Sequence, residues 1–348
     1  MIQIDGSQHS GSGTLVRQAV VFSALTGRAV RIFNARARRT KPGLRAQHVQ
    51  VVEAIRDLVN AKVEGVSPGS REILFHPGAL EGRQHYRWDI GSAGSTINLA
   101  LAVLPVLAFC RAPTRVELRG GLFQDYAPSF YHLRHVLIPL VAQMGLHAEV
   151  TMIRPGYVPR GEGVLELSVA PARTTLQSTV MDRGGAPNLL WGIAMSSHLE
   201  QRRVSQRMAD AAKDTLASAG HNASIEIIND TSAVQAGAGL ALFADVQGGA
   251  RLGADGAGAP GRPAEAIGRH VARQLLEDLG TSAALDRHAA DQVIPFAALA
   301  AGESRFRIPG ETEHITSNAW LAELFLGVET KIEGQLMTIR GIGFQSPS

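Results

Sequence analysis

The sequence predicts a mixed α/β fold of three repeated units packed about a pseudo-threefold axis, with a smaller α/β domain inserted. Three observations carry this. One plan recurs along the chain: a Gly/Ser-rich loop, a helix, a strand, a second helix and a pair of strands. It appears twice in full and a third time in part. Residues 181–280 break the plan, which divides the chain into 1–180 plus 281–348 and an insert at 181–280. The 348 residues, 45% of them hydrophobic, also exceed what one ordinary core requires.

The first copy opens at Asp5-Gly6-Ser7-Gln8-His9-Ser10-Gly11-Ser12-Gly13 and enters a helix that ends near Gly27. Val30–Phe33 reads as a strand. Leu44–Ala61 reads as a helix, because Val51, Val52, Ile55, Leu58 and Val59 share one face. A strand pair at Lys62–Val66 and Glu72–His76 flanks Pro68-Gly69-Ser70. The second copy opens at Trp88-Asp89-Ile90-Gly91-Ser92-Ala93-Gly94-Ser95, followed by a helix over Leu99–Phe109, a strand Thr114–Leu118 and a helix Phe130–Met144. Strands at Ala148–Ile153 and Val164–Val169 close it. The third copy starts at Ala289, with a helix Asp291–Ala301 and a strand Ser304–Ile308. His314 then precedes a helix Ala319–Leu326 stopped by Gly327, and a hairpin turns at Glu333-Gly334. Within the insert, helices are expected at Ser205–Ala219 and Ala264–Leu279, a strand at Ser224–Ile228, and a flexible Gly/Ala/Pro stretch at Gly248–Pro263.

Composition narrows the function classes. No apolar run is long enough to span a bilayer, and Met1–Asp5 does not begin a secretory signal. Cys110 is the only cysteine, which excludes an internal disulfide and a thiolate metal cluster and suits a reducing, cytoplasmic compartment. The net charge of +3 is a weak pointer to polyanions, so the placement of individual arginines has to carry that argument. Lysines occur only at 41, 62, 213 and 331.

Four features bear on chemistry. There is no P-loop, and Gly256-Ala257-Gly258-Ala259-Pro260-Gly261 matches a dinucleotide fingerprint only as a string, with no strand expected before it. The loops containing Ser10, Gly11 and Gly13, and Gly94 and Ser95, each feed a helix N-terminus, where free N–H groups favour an anion. Either alone is an ordinary turn and cap; their recurrence points to phosphate, and Arg17 sits one turn into the first helix. Arg36-Ala37-Arg38-Arg39-Thr40-Lys41-Pro42-Gly43 crowds four cations with no acid among them, an arrangement that a polyphosphate or an RNA backbone relieves. His314 places an imidazole beside a helix N-terminus, and neutral imidazole is a competent nucleophile toward phosphorus.

These stretches resemble the RNA 3′-terminal phosphate cyclases over nearly the whole chain. The matching segments are Asp5-Gly6-Ser7-Gln8, Arg36–Leu44, Gly91–Ser95, Gly156–Gly163, Arg262-Pro263-Ala264-Glu265, Asp291-Gln292 and His314–Asn318. The resemblance implies three βαβαββ-type, initiation-factor-like repeats with an inserted small domain. It also implies an ATP-dependent reaction in which His314 takes up AMP from ATP and passes it to an RNA 3′-phosphate. The neighbouring 2′-hydroxyl then displaces AMP and leaves a 2′,3′-cyclic phosphate. By the same carry-over, Arg17, Arg36 and Arg39 hold phosphates, and Pro128 and His288 flank the adenine. Ala289, Ala290, Asp291, Gln292 and Asn318 line the nucleotide site. A divalent ion, Mg²⁺ or Mn²⁺, accompanies ATP, with no metal ligand assigned, and the partner is an RNA with a 3′-phosphate end.

The chain departs from the family pattern at several of these places. Ser10 stands where a glutamate is usual, Leu101 where a glutamine is, Ser317 where a threonine is, and His288 where an adenine-flanking tyrosine is. The three-glycine signature reads Gly161-Glu162-Gly163. Two other readings compete. One is a non-catalytic or weakly active relative that binds RNA in ribosomal RNA maturation, which the presence of His314 opposes. The other is an enolpyruvyl transferase, whose reliance on lysines is at odds with four in this chain.

Overall fold

The computed structural model describes residues 1–80, 82–172 and 174–345. Sixteen strands among these form four sheets of four. The first sheet holds β1 (Ile2–Asp5), β2 (Val30–Phe33), β3 (Lys62–Glu64) and β4 (Ile73–His76), in the order β1-β2-β4-β3. Helix α1 (Gly13–Thr26) crosses from β1 to β2, so that pair is parallel; α2 (Ala46–Val59) leads to the antiparallel β3–β4 hairpin.

The second sheet repeats this order as β5 (His85–Asp89), β6 (Thr114–Gly120), β8 (Gly163–Val169) and β7 (Ala148–Arg154). Helix α3 (Thr96–Leu107) joins β5 to β6. The connection onward from β6 runs through α4 (Phe130–His132), a π-helical turn Leu133–Leu137 and α5 (Ile138–Gln143). The third sheet has the same order again, as β9 (Val180–Met181), β14 (Ala301–Arg307), β16 (Leu336–Ile342) and β15 (Glu329–Glu333). In all three, the first pair is parallel and the other two are antiparallel.

Between β9 and β14 stand β10 (Pro187–Ser197), α6 (Val204–Ser218), β11 (Ala223–Asp230), β12 (Gly237–Val246), β13 (Arg251–Ala257) and α7 (Ala264–Gly280), with sheet order β11-β10-β12-β13. One face of that sheet packs on α6 and α7, forming a separate apolar cluster with Met208, Leu216, Leu240, Leu242, Leu252, Val271 and Leu275. Its other face supplies Ile193, Met195, Ala241 and Phe243 to the large cluster shared by the three sheets and α1 to α5. Helices α1 and α3 are buried nearly all round, which is why their sequences are apolar without a clear stripe.

The structure corrects several expectations. Strands β1, β5, β9, β10, β12 and β13 stand where none was expected. The stretch expected to be flexible, Gly248–Pro263, contains β13, so the Gly256–Gly261 string begins inside a strand. Glycine in β13 answers to close packing: a Cβ on Gly253 would lie 2.8 Å from the His132 ring, and one on Gly256 2.8 Å from Val271. The expected helix Asp291–Ala301 is broken into α8 (Ala289–Gln292) and α9 (Ile294–Leu299), with Pro295 in the first turn of the latter, and Ala301 already belongs to β14. Helix α10 (Glu313–Leu326) begins before His314, which therefore lies in its first turn.

Candidate active site

Two helix N-termini meet around His314. Ser12 caps α1 by accepting from the Thr14 N–H, and Thr312 caps α10 by accepting from the Ile315 N–H, both at 3.2 Å. A hydroxyl chain ties the two ends together. Ser10 and Ser12 Oγ lie 3.0 Å apart, Ser10 and Ser317 Oγ 2.9 Å apart, and the Ser10 N–H donates to Ser317 Oγ at 3.2 Å. The positive ends of both helix dipoles therefore bear on the same place, and α1 and α10 each run 14 residues.

The imidazole is fixed from one side. His314 Nδ1 lies 3.0 Å from Thr14 Oγ1. When Nδ1 carries the proton and donates to that hydroxyl oxygen, Nε2 keeps its lone pair. Burial holds the His314 pKa below its usual value; Asp291 opposes this, and the cations Arg17 and Arg39 add to it. The ring is thus neutral near pH 7. Burial also raises the Asp291 carboxyl, against the pull of His314, Arg17 and His288. Arg17 is itself buried, and its Nε has no hydrogen-bond partner. Burial lowers its pKa, with Asp291 offsetting part of the effect, and a guanidinium keeps its charge regardless.

The other sequence-predicted residues fall into three groups. Asp291, Gln292 and Asn318 stand together beside His314: Gln292 Nε2 donates to Asp291 Oδ2 at 2.8 Å, and Asn318 Nδ2 to the Asp291 carbonyl at 2.7 Å. Asn318 Oδ1 is buried without a partner. Ser10, Gly11 and Gly13 line the same junction. A Cβ on Gly11 would sit 2.4 Å from Arg38 Cγ, and Arg38 in turn reaches the His9 carbonyl and Glu313, the latter at 3.1 Å.

A second group is engaged within the protein. Arg36 donates to the carbonyls of Lys41 at 2.9 Å and Gly43 at 2.6 Å, so its Nη1 shapes its own loop. Ala289 and Ala290 are fully buried, and their N–H groups are taken by the side chain and carbonyl of Asp286. Arg39, in contrast, is exposed, and its charge reaches His314.

The third group has other neighbours. Gly94 and Ser95 lie across α2, where Gln47 Oε1 accepts from the Ser95 N–H at 3.0 Å. Half-buried His288 lines a cavity of about 540 Å³ with Gln124, Tyr126, Asp255 and His270. Buried Pro128 follows the Gln124–Ala127 wall of that cavity.

Three residues that sequence reading passed over belong here. Thr14 follows the glycine loop directly, and only the structure reveals its bond to a residue 300 positions away. His48 accepts from the Arg45 N–H through Nδ1 at 3.1 Å. Its Nε2 faces Gly13, where a Cβ would come within 2.1 Å. Burial and the cations Arg36, Arg17 and Arg45 push His48 down to about 3, so it is a neutral ring whose proton sits on Nε2. Asp286 anchors the segment bearing His288 and Asp291, accepting from the N–H groups of His288 and Ala289 at 2.8 Å each.

With this geometry in view, kinship decides the family. The model of the family "RNA 3′-terminal phosphate cyclase" matches residues 8–332. The chain belongs to that family. An RNA 3′-terminal phosphate cyclase from Methanopyrus kandleri is 37% identical over 340 residues, covering 96% of this chain and 96% of that protein. One from Archaeoglobus fulgidus is 37% identical over 342 residues, covering 98% and 100%. The enolpyruvyl transferase NikO of Streptomyces tendae is a distant match at TM-score 0.43 and 11% identity, covering 99% of this chain and 49% of that one. A likeness that low decides neither fold nor function. Within the cyclase family, the His314 junction joins segments that the resemblance had matched separately. No helix among the described residues is long and apolar enough to cross a membrane.

Proposed function

We propose that the protein converts an RNA 3′-terminal phosphate to a 2′,3′-cyclic phosphate at the expense of ATP, through a covalent histidyl-AMP. The observation that carries the reading is the His314 imidazole, bonded through Nδ1 to Thr14 and set where two helix N-termini meet. In the first step the Nε2 lone pair attacks the α-phosphorus, a P–N bond forms, and the bond to pyrophosphate breaks. In the second, an oxygen of the RNA 3′-phosphate attacks the same phosphorus and the imidazole leaves. In the third, the adjacent 2′-oxygen attacks the RNA phosphorus and AMP departs. Arg17, the helix ends and Arg39 bind the phosphates, and the unpaired polar atoms Arg17 Nε and Asn318 Oδ1 suit a polar ligand. His288, beside its cavity, and Pro128 take the adenine.

Among the described residues no group of three or more His, Cys, Asp and Glu could hold a metal ion, and Ser10 offers a hydroxyl where the family usually has a carboxylate. The described residues do not make a protein-held metal site. Mg²⁺ or Mn²⁺ is therefore assigned to the ATP substrate, held by its phosphates, and no step is routed through a protein-bound ion. The finer architecture belongs to the same reading: three copies of one βαβαββ unit about a pseudo-threefold axis, with 181–280 as an inserted domain. Its support is the strand order and pairing common to three sheets. A cytoplasmic setting rests on the lone, buried Cys110.

Incubation with α-labelled ATP and Mg²⁺ or Mn²⁺ is expected to give an acid-labile, base-stable protein–AMP adduct. His314→Ala should abolish it. A label that survives this substitution overturns the assignment, and a protein that binds RNA without ever forming the adduct is the non-catalytic relative instead.

A further inference from the structure

A second cavity, of about 490 Å³, opens between the Val158–Arg160 loop, the N-terminus of α6 and the loop leading into α7. We propose that it holds the body of the RNA strand, several nucleotides upstream of the 3′-phosphate; this rests on the functional reading above. The chemistry of the lining is two-fold. Four arginines line the cavity (Arg160, Arg202, Arg207 and Arg262), and no lining residue is acidic. Arg207 is paired with Glu265 at 2.6 Å and Arg262 with Asp125 at 2.8 Å. Among the described residues Arg160 and Arg202 have no ion pair, and both are exposed. Two uncompensated cations on one rim are stabilised by phosphodiesters.

Between the arginines the surface is apolar: Val158, Pro159, Leu199, Pro260 and Pro263, with Val158 half exposed at 50%. Arginine planes flanked by apolar surface receive the faces of unstacked bases, which a duplex does not present, so the occupant is a single strand. The backbone adds donors. Helices α6 and α7, of 15 and 17 residues, both begin at this cavity without a side-chain cap. The Gly258-Ala259-Pro260-Gly261 loop, which a dinucleotide fingerprint leaves unexplained, forms part of the wall.

Continuity ties the cavity to the reaction. Arg262 and Ile267 line both this cavity and the one that His288 lines, and His288 is close enough to Asp291 to affect its ionisation. The strand cavity therefore adjoins the one assigned to the adenine, sharing the wall at Arg262 and Ile267, so an RNA whose end is at His314 lies beside the nucleotide and not through its pocket.

The test compares 5′-fluorescein oligoribonucleotides bearing a 3′-phosphate, of three and of twelve nucleotides, by anisotropy and by cyclisation. For the Arg160→Glu/Arg202→Glu variant of the full chain, affinity for the 12-mer is expected to fall by about tenfold or more. Its log–log salt slope should drop by about 1.4, at roughly 0.7 per phosphate contact on a single strand. Binding of the 3-mer and formation of the AMP adduct should be unchanged, which shows that the variant folds. The Arg160→Lys/Arg202→Lys variant should keep most of the 12-mer affinity. Equal loss for both lengths, or no loss for either, overturns the proposal. Absence of the adduct in the parent protein, with length-dependent RNA binding intact, would instead overturn the functional reading.

Discussion

Thr14 and His314 decide how much of the proposed chemistry is available at once. If Thr14 Oγ1 selects the tautomer with the proton on Nδ1, Thr14→Val removes that selection while leaving size and helix start nearly unchanged. A net hydrogen-bond contribution of about 1 kcal/mol translates to a fall of roughly five- to tenfold in the adenylation rate constant, with the KM for ATP unmoved. Thr14→Ser should restore the rate. An unchanged rate in Thr14→Val would mean that the bond is incidental. The pH dependence follows from the same ring. A histidine whose pKa lies below 6.5 remains neutral as pH falls through 6.5, so adduct formation should stay level from pH 8 to 6.5 and decline only in more acid solution. A half-loss above pH 6.5 in single-turnover labelling would contradict a nucleophile kept neutral by burial and by Arg17. The candidacy of His314 was legible in the sequence from its loop-and-helix context. Its partner was not, because nothing local to Gly13-Thr14 signals a contact with the third sheet's helix.

At the scale of elements, the joint beneath α8 is where a single change should cost most. His132 and Asp286 are both fully buried, with Nε2 to Oδ2 at 3.0 Å. Burial alone would lower His132 and raise Asp286. Their mutual attraction, with the backbone donors at Asp286, overcomes this, so His132 is raised and Asp286 is held at about 2. The pair gathers three segments: α4, β13 through the Gly253 N–H at 2.8 Å, and the start of α8. His132→Ala leaves a buried carboxylate with only backbone donors, and a loss of about 3–5 kcal/mol is expected, read as a lower urea midpoint. A shift under 1 kcal/mol would mean that the pair is not charged in the folded state. The elements around this joint divide by legibility. Helices α6 and α7 were visible because each has one apolar face in water-facing surroundings. Strand β13, Arg251-Leu-Gly-Ala-Asp-Gly-Ala, has almost no strand propensity, and pairing with β12 and crowding by His132 and Val271 impose its conformation from outside. Strand β9 has two residues and acquires its identity only by pairing with β14, which lies more than a hundred positions later. Local pattern cannot carry that information.

For the whole molecule, the question is whether residues 181–280 fold as a unit apart or as part of one cooperative body. The sheet and helices of this segment enclose an apolar cluster of their own, which argues for independence. The opposite face of its sheet argues against it, since Ile193, Met195, Ala241 and Phe243 are continuous with the main core. Tyr157 sits in that seam. It is buried, stacks on Phe123 at 5.3 Å between centroids, and bonds Ser197 Oγ at 2.9 Å. Ser197 in turn donates to Asp230 at 2.7 Å, and Gly237 lies against the Tyr157 ring so closely that a Cβ would meet it at 2.1 Å. An exposed interdomain contact would not be built to such tolerance. Unfolding of the parent protein should therefore be a single transition, with fluorescence and far-UV circular dichroism coinciding. Tyr157→Ala removes the ring that fills the seam and should cost about 3–5 kcal/mol. It should also uncouple the two bodies, so that amide exchange in β10 and β12 quickens ahead of exchange in β1, β2 and β4. Tyr157→Phe keeps the ring and loses one hydrogen bond, about 1 kcal/mol, because Ser197 retains Asp230. If Tyr157→Ala instead accelerates exchange uniformly over all four sheets, the seam is no weaker than the cores it joins, and the insert has no separate stability to reveal.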